Sequence, residues 1–335
     1  MKGYTSIKLF LRFSANREVL AEAVVSASEK KVVAKPPAKR AAASKPASKC
    51  SMDSLPLDYE KRLWDQGVQH VCGVDEAGRG PLAGPVVAAA CLLPAHWTGG
   101  ASIAGVNDSK STTEADREAT FAALVACPDV RFSIAVADHR IIDRVNILQA
   151  TYAAMHAAVQ ALPIRVQHAL VDGNRIPHQL ADQASAAAEA GGAPFAVEAV
   201  VKGDGKVYSI AAASILAKVT RDRIMAWYDE QYPGYGLQQH KGYPTGAHRA
   251  AVAALGPSPI HRLTFAPLKG VFGQADIKGQ LLHVPPEVLG CARVQQCVLH
   301  VPVDVPLPPA AVAAAEAKAA RKAAKAVRGT KRKRS

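Results

Sequence analysis

Residues 71–85, VCGVDEAGRGPLAGP, restrict what this chain can fold into more than any other stretch. The apolar run 71–74 reads as a buried strand, followed by two adjacent acids, Asp75 and Glu76, and then a Gly78-Arg79-Gly80 turn. Side chains alternate across a strand, so neighbouring acids face opposite ways unless the strand ends or bends. Ala77-Gly78 makes a bend at that point the expectation. Residues 86–93, VVAAACLL, form a second apolar run. The Gly/Pro loop between the two runs predicts an antiparallel hairpin. Acids closing an apolar strand, beside a backbone open to close approach, suggest a metal and a phosphate.

Two later runs close in the same way. Residues 166–171 run into Asp172-Gly173-Asn174, and residues 195–201 into Lys202-Gly203-Asp204. Between and around them the pattern predicts a helix over 113–126 with Thr113 as its cap and a strand over 130–137. It also predicts one continuous helix over 138–162, a surface excursion over 178–193 and a long helix over 209–231. Strands first, then strand–helix alternation, give an α/β layered domain with a mixed sheet. The organisation read from this is a basic, low-complexity extension over 1–54, a globular domain over 55–272, and a Val/Pro-rich then Ala/Lys-rich disordered tail over 273–335.

The net charge of +13 points to nucleic acid only until it is located. Residues 1–50 carry +8 and residues 311–335 another +8, which leaves 51–310 at −3. Any polyanion bound by the domain must therefore meet a local patch. The terminal KRKRS reads as a nucleic-acid patch adding salt-sensitive affinity. Six cysteines, Cys50, Cys72, Cys91, Cys127, Cys291 and Cys297, show neither a CxxC pair nor zinc spacing. They read as reduced thiols of a cytoplasmic protein. No apolar run is long enough to span a membrane.

Acids at neighbouring strand ends can converge on a crevice at one edge of a sheet. Two such charges ~4 Å apart repel by ~4 kcal/mol at an effective dielectric of ~20. A hard divalent cation removes that penalty, and an all-oxygen donor set selects Mg²⁺ or Mn²⁺ over zinc. Asp-Gly is also a common turn sequence, and on periodicity alone the turn and site readings stand even. Lys218 and Arg221 lie three apart on one helix face, where a surface pair and a phosphate contact are both open. Lys110 follows an Asp-Ser turn. Tyr152 and Met155 read as core, and His240 and His248 as solvated loop residues.

The segments DEAGRGPLAGPVVAAA, NDSK, NILQATYAAM, LVDGN, VVKGD, SILAKVTRD, HKGYPT and PSPIHRLTFAPL occur here in one order. Together they closely resemble bacterial ribonuclease HII, from about Asp58 to Leu268. The resemblance implies a ribonuclease H-like three-layer fold: a mixed β-sheet flanked by helices, with a C-terminal helical/loop segment. It implies an endoribonuclease that hydrolyses the RNA strand of RNA–DNA hybrids and nicks duplex DNA 5′ to embedded ribonucleotides. It further implies two-metal catalysis that leaves a 3′-hydroxyl and a 5′-phosphate, with a role in ribonucleotide excision repair and RNA primer removal. By motif, Asp75, Glu76, Asp172 and Asp204 correspond to the metal-binding catalytic carboxylates, holding two Mn²⁺ or Mg²⁺ ions. Gly78, Arg79 and Gly80 correspond to the loop that reads the ribonucleotide, and Tyr243 to the tyrosine that stacks at the RNA–DNA junction. Lys110, Lys218 and Arg221 become phosphate contacts. The implied partners are RNA–DNA hybrid and ribonucleotide-containing duplex DNA, met by a monomer. Some relatives also dock onto a replication clamp, which places a clamp among the candidate partners. Two departures stand out: a long spacer between Asp172 and Asp204, and tails beyond the usual family boundaries. The competing readings are a ribonuclease HIII-like hybrid-specific enzyme, which lacks the GRG-type loop, and a non-catalytic nucleic-acid binder on the same fold.

Overall fold

The computed structural model describes residues 55–95, 97, 103, 105–106, 112–191 and 194–304. The basic extension, Lys110 and the Ala/Lys-rich end of the chain lie outside these residues.

A mixed six-stranded sheet, ordered β5-β4-β1-β2-β3-β6, carries the fold. Strand β1 is His70–Ala77, β2 Val86–Pro94, β3 Arg131–Ala137, β4 His168–Asp172, β5 Ala196–Val200 and β6 Val298–His300. The predicted hairpin is present, with β1 antiparallel to β2 and β2 antiparallel to β3. Strands β1, β4 and β5 run parallel, so their C-terminal ends share one edge of the sheet.

The helices are α1 Asp58–Asp65, α2 Glu114–Ala126, α3 His139–Val145, α4 Ile147–Gln160, α5 His178–Glu189, α6 Tyr208–Gln231, α7 Leu237–His240 and α8 Gly246–Leu255. Short helices α9 Pro286–Leu289 and α10 Ala292–Cys297 follow. Strand β2 is buried on both faces. Val87, Ala89, Cys91 and Leu93 join one core cluster with Ile210, Ala213 and Ala217 of α6. The alternate residues Ala88, Ala90 and Leu92 are equally buried but lie outside that cluster, on the side where α4 packs. This is the three-layer arrangement that strand alternation dictates. Gly73 lets α6 lie directly on β1: a Cβ there would stand 2.1 Å from the Ser209 carbonyl carbon. Glu60 of α1 is fully buried, and its Oε1 accepts the Ser209 N–H at 2.8 Å. The carboxylate thereby caps the N-terminus of α6, where the helix dipole favours it. Thr113 caps α2 as expected, its side chain accepting the Asp116 N–H at 3.1 Å.

Three expectations are corrected. Strand β1 does not end at residue 74 but runs through both acids to Ala77, because β2 supplies partners along that whole length. The span 138–162 is two helices. Asn146 breaks it at φ +71°, and its Oδ1 accepts the N–H groups of Leu148 and Gln149 to start α4 afresh. Asn is among the few residues that adopt this conformation readily. Finally, residues 273–304 are not a featureless tail. Strand β6 pairs parallel to β3 and covers the edge of the sheet. Leu289 and Val294 are buried. Arg293 donates to the carbonyls of Val125, Cys127 and Val130, and Arg223 to that of Leu289 at 2.8 Å. A paired edge strand is also protected against association with other chains. Among the described residues, no helix is long and apolar enough to cross a membrane.

Candidate active site

The pairing between β1 and β4 stops at Val74 and Val171. Beyond it, the last residues of β1 have no neighbour on the β4 side, and a cleft opens at the shared strand ends. Asp75, Glu76 and Asp172 line it together with Gly78, Arg79, Gly80 and Tyr243. Alternation places Asp75 toward α6, where Ser214 hydrogen-bonds its side chain. Glu76 faces the α4 side and also lines an adjoining hollow with Thr151, Tyr152 and Asp172. Adjacent acids on one strand therefore serve one crevice because it wraps the sheet edge, and no bend is needed. Asp204 follows β5 in a short 3₁₀ turn, Gly203–Gly205, and is 6% exposed. Its neighbour Gly203 donates its N–H to Asp172 Oδ1 at 2.6 Å, which ties the ends of β4 and β5 together.

Burial first, and then the charges of Glu76 and Asp172, hold the Asp75 carboxyl well above the usual carboxylate range. Its Oδ1 accepts the Glu76 N–H at 2.7 Å, which offsets only part of this. Arg79 pairs with Glu76 at 3.3 Å. Among the described residues, no three acids, histidines or cysteines are gathered at ligating distance as placed. Asp172 and Glu76 are drawn instead to Gly203 and Arg79. The donor set nevertheless suits a hard cation: oxygen only, with one buried carboxylate whose charge is opposed by two others.

The loop of residues 78–85 is held from behind by two arginines. Arg262, 0% exposed, donates to the carbonyls of Gly78 at 2.7 Å, Arg79 at 3.1 Å, Gly84 at 2.9 Å and Pro85 at 3.1 Å. Arg221, 1% exposed, donates to Pro85 at 3.0 Å, Ala83 at 3.4 Å and Lys241 at 3.0 Å. This corrects the expected phosphate contact. Arg221 reaches the cleft wall, but its guanidinium is turned inward onto three carbonyls. Gly78, at φ +100°, is where Arg221 passes, and a Cβ there would meet Arg221 Nε at 2.1 Å. The Tyr243 ring, 45% exposed, stands against Gly80, close enough that a Cβ on Gly80 would be 3.2 Å from its Cε1.

Lys218 lines the cleft one helical turn below Ser214 and is paired with Asp222. Arg117 lines it from α2, and Arg175 lines the adjoining hollow. These, with Arg79, form the local basic patch that a slightly acidic domain requires. Ser214, Arg117 and Arg262 were not singled out by the sequence reading. Ser214 was within reach of it, since it shares the i, i+4 face of Lys218. The solvated reading of His248 is also corrected, because the residue is 0% exposed.

The family model described as Ribonuclease HII matches residues 72–268. Ribonuclease HII of Geobacter sulfurreducens is 48% identical over 219 residues, covering 65% of this chain and 92% of that protein. Ribonuclease HII of Dechloromonas aromatica is 50% identical over 198 residues, covering 59% and 91%. Among solved structures, the ribonuclease H2 from Pyrococcus horikoshii OT3 is 31% identical. It covers 60% of this chain and 96% of that one, with a TM-score of 0.49.

Proposed function

Since the chain belongs to the ribonuclease HII family, we propose that the cleft at the ends of β1, β4 and β5 is where it cuts nucleic acid. The protein is a ribonuclease H, an endonuclease acting on RNA–DNA hybrids. The observation that carries the assignment of the site is the meeting of Asp75, Glu76 and Asp172 with the Gly78-Arg79-Gly80 loop and Tyr243 in one cleft.

In this reading Asp75, Glu76, Asp172 and Asp204 hold two divalent ions, Mg²⁺ or Mn²⁺. Such ions, when bound, supply a water of lowered pKa and a counter-charge for the leaving oxygen. The chain's own residues do the positioning. Asp75 is kept in place by Ser214 and by the Glu76 N–H. Asp172 is fixed by Gly203, and Arg79 orients Glu76. The backbone of Gly78 and Gly80 can approach a ribose closely, and the 2′-hydroxyl is the group that tells RNA from DNA. The exposed Tyr243 ring offers a flat apolar face to the sugar beside it. Lys218 and Arg117 face the phosphates, which position the duplex without reading its sequence.

We propose as the finer activity what the family resemblance implies: nicking of duplex DNA on the 5′ side of an embedded ribonucleotide, as in ribonucleotide excision repair and primer removal. Buried, unpaired Cys72 and Cys91 support a reducing, cytoplasmic setting.

The test is cleavage of an RNA–DNA hybrid with Mg²⁺ or Mn²⁺. Activity is expected to vanish in excess EDTA and to return when either ion is restored. Undiminished cleavage in EDTA would remove the metal role of the four acids.

A further inference from the structure

Behind Tyr243 the core holds an unusual polar column. His248 and His261 are both 0% exposed, and Ser258 is 2% exposed. His248 Nδ1 lies 3.1 Å from the Tyr243 carbonyl oxygen. His248 Nε2 lies 3.1 Å from His261 Nε2. The Ser258 N–H donates to His261 Nδ1 at 3.0 Å, with the Ser258 hydroxyl at 2.8 Å from the same atom.

The two ends of the column fix both tautomers independently. A backbone N–H can only donate, so His261 Nδ1 is an acceptor and its Nε2 carries the proton. A carbonyl can only accept, so His248 Nδ1 carries a proton and its Nε2 is the acceptor. The two assignments agree at the shared contact, where His261 Nε2–H donates to His248 Nε2. His240, stacked on His248 with ring centroids 4.4 Å apart, is fixed the same way. It accepts the Gly242 N–H at Nδ1 and donates from Nε2 to the Tyr235 carbonyl. From Ser258 through His261 and His248 every proton runs in one direction, toward the Tyr243 carbonyl, whereas the His240 bonds run the other way, from Gly242 to Tyr235.

We propose that His248 and His261 are positioning residues for the reaction, a one-way hydrogen-bonded relay from Ser258 to the Tyr243 carbonyl that sets the stance of the Tyr243 ring over the cleft. The inference rests on the reading that this ring meets substrate. Three observations carry it. The Tyr243 carbonyl already accepts the Thr245 N–H at 2.8 Å, so the bond from His248 is not needed to satisfy it and instead adds direction. The segment it holds is conformationally demanding, with Lys241 at φ +50° and Gly242 at φ +81°. Two buried imidazoles are also a poor way to fill a core unless their hydrogen bonds matter. Burial, with the neighbouring imidazoles, pushes His248 down to about 4 and His261 to about 3, so the relay stays neutral at working pH.

The test is a double-mutant cycle on a ribonucleotide-containing duplex. Tyr243→Ala and His248→Leu are each expected to raise KM about tenfold with kcat little changed, about the effect of one lost contact. His248→Leu is expected to add nothing in the Tyr243→Ala background. His248→Asn, whose amide N–H can replace Nδ1–H, is expected to restore KM. If His248→Leu does not fold, His261→Asn breaks the same relay at its middle. Long-range ¹H–¹⁵N NMR of the unaltered protein reads the tautomers directly. Full additivity with Tyr243→Ala, or the opposite tautomer at His248, overturns the inference. An unchanged KM for Tyr243→Ala overturns the substrate role of the ring first, and the relay's function with it.

Discussion

Asp75→Asn is expected to abolish cleavage, lowering kcat by roughly 10³-fold or more, while making the metal-free protein more stable. The two effects share one cause. Asp75 is buried, and its charge is opposed by burial and by Glu76 and Asp172. Asn keeps the shape and can still accept the Glu76 N–H, but carries no charge. Each ~1 kcal/mol recovered in a domain of this size is worth roughly 2–4 °C in Tm. The sign with pH is fixed. The folded pKa of Asp75 lies above its unfolded value, so the penalty is absent below the unfolded pKa and grows as pH rises through the folded one. The Tm advantage of the variant is therefore expected to be small in acid and larger toward neutral pH. Added Mn²⁺ is expected to raise the Tm of the unaltered protein but not that of the variant. A variant that is less stable at neutral pH without metal would contradict this account of Asp75.

The second large effect is expected at Arg262, far from Asp75 in sequence. Arg262→Leu leaves the carbonyls of Gly78, Arg79, Gly84 and Pro85 without the donor they share. A buried carbonyl left without a donor costs about 1–3 kcal/mol, so the four together make a loss of several kcal/mol the expected result, which thermal or urea unfolding would measure. The functional consequence is separate. The loop that Arg262 holds carries Arg79 and Gly80, so discrimination between ribonucleotide and all-DNA duplex is expected to fall in whatever fraction remains folded. Arg262→Lys is expected to fall between, because one ammonium cannot span both ends of the loop as a planar guanidinium does. A loss of under 1 kcal/mol for Arg262→Leu would mean that the loop holds its shape without it.

That Asp75, Glu76 and Asp172 share one cleft was legible because each follows an apolar run, and that pattern is local. So were Thr113, the hairpin and the long helix α6. The break at Asn146 was not, since the apolar face continues across it and only the backbone reverses. Nor was the inward turn of Arg221, because spacing along a helix gives a face but not what packs on it. Arg262, Arg293 and the histidine column act through bonds between residues distant in the chain. The segment 273–304 is built of elements too short to show a period, held by arginines donating to carbonyls that any sequence would offer. The excess positive charge lies in the two ends of the chain, outside the described domain. Besides the inward-turned Arg221, the basic groups lining the cleft are Arg79, Arg117 and Lys218.

The most direct measurement of the central claim is to map the nick in a DNA duplex that carries one ribonucleotide, with Mg²⁺ or Mn²⁺ present. If the cleft reads the 2′-hydroxyl at Gly78-Arg79-Gly80 and cuts beside it, there will be one break, immediately 5′ to the ribonucleotide. Its ends will be a 3′-hydroxyl and a 5′-phosphate, and the all-DNA duplex will stay intact. A break on the 3′ side, or equal cutting of the all-DNA duplex, would contradict it.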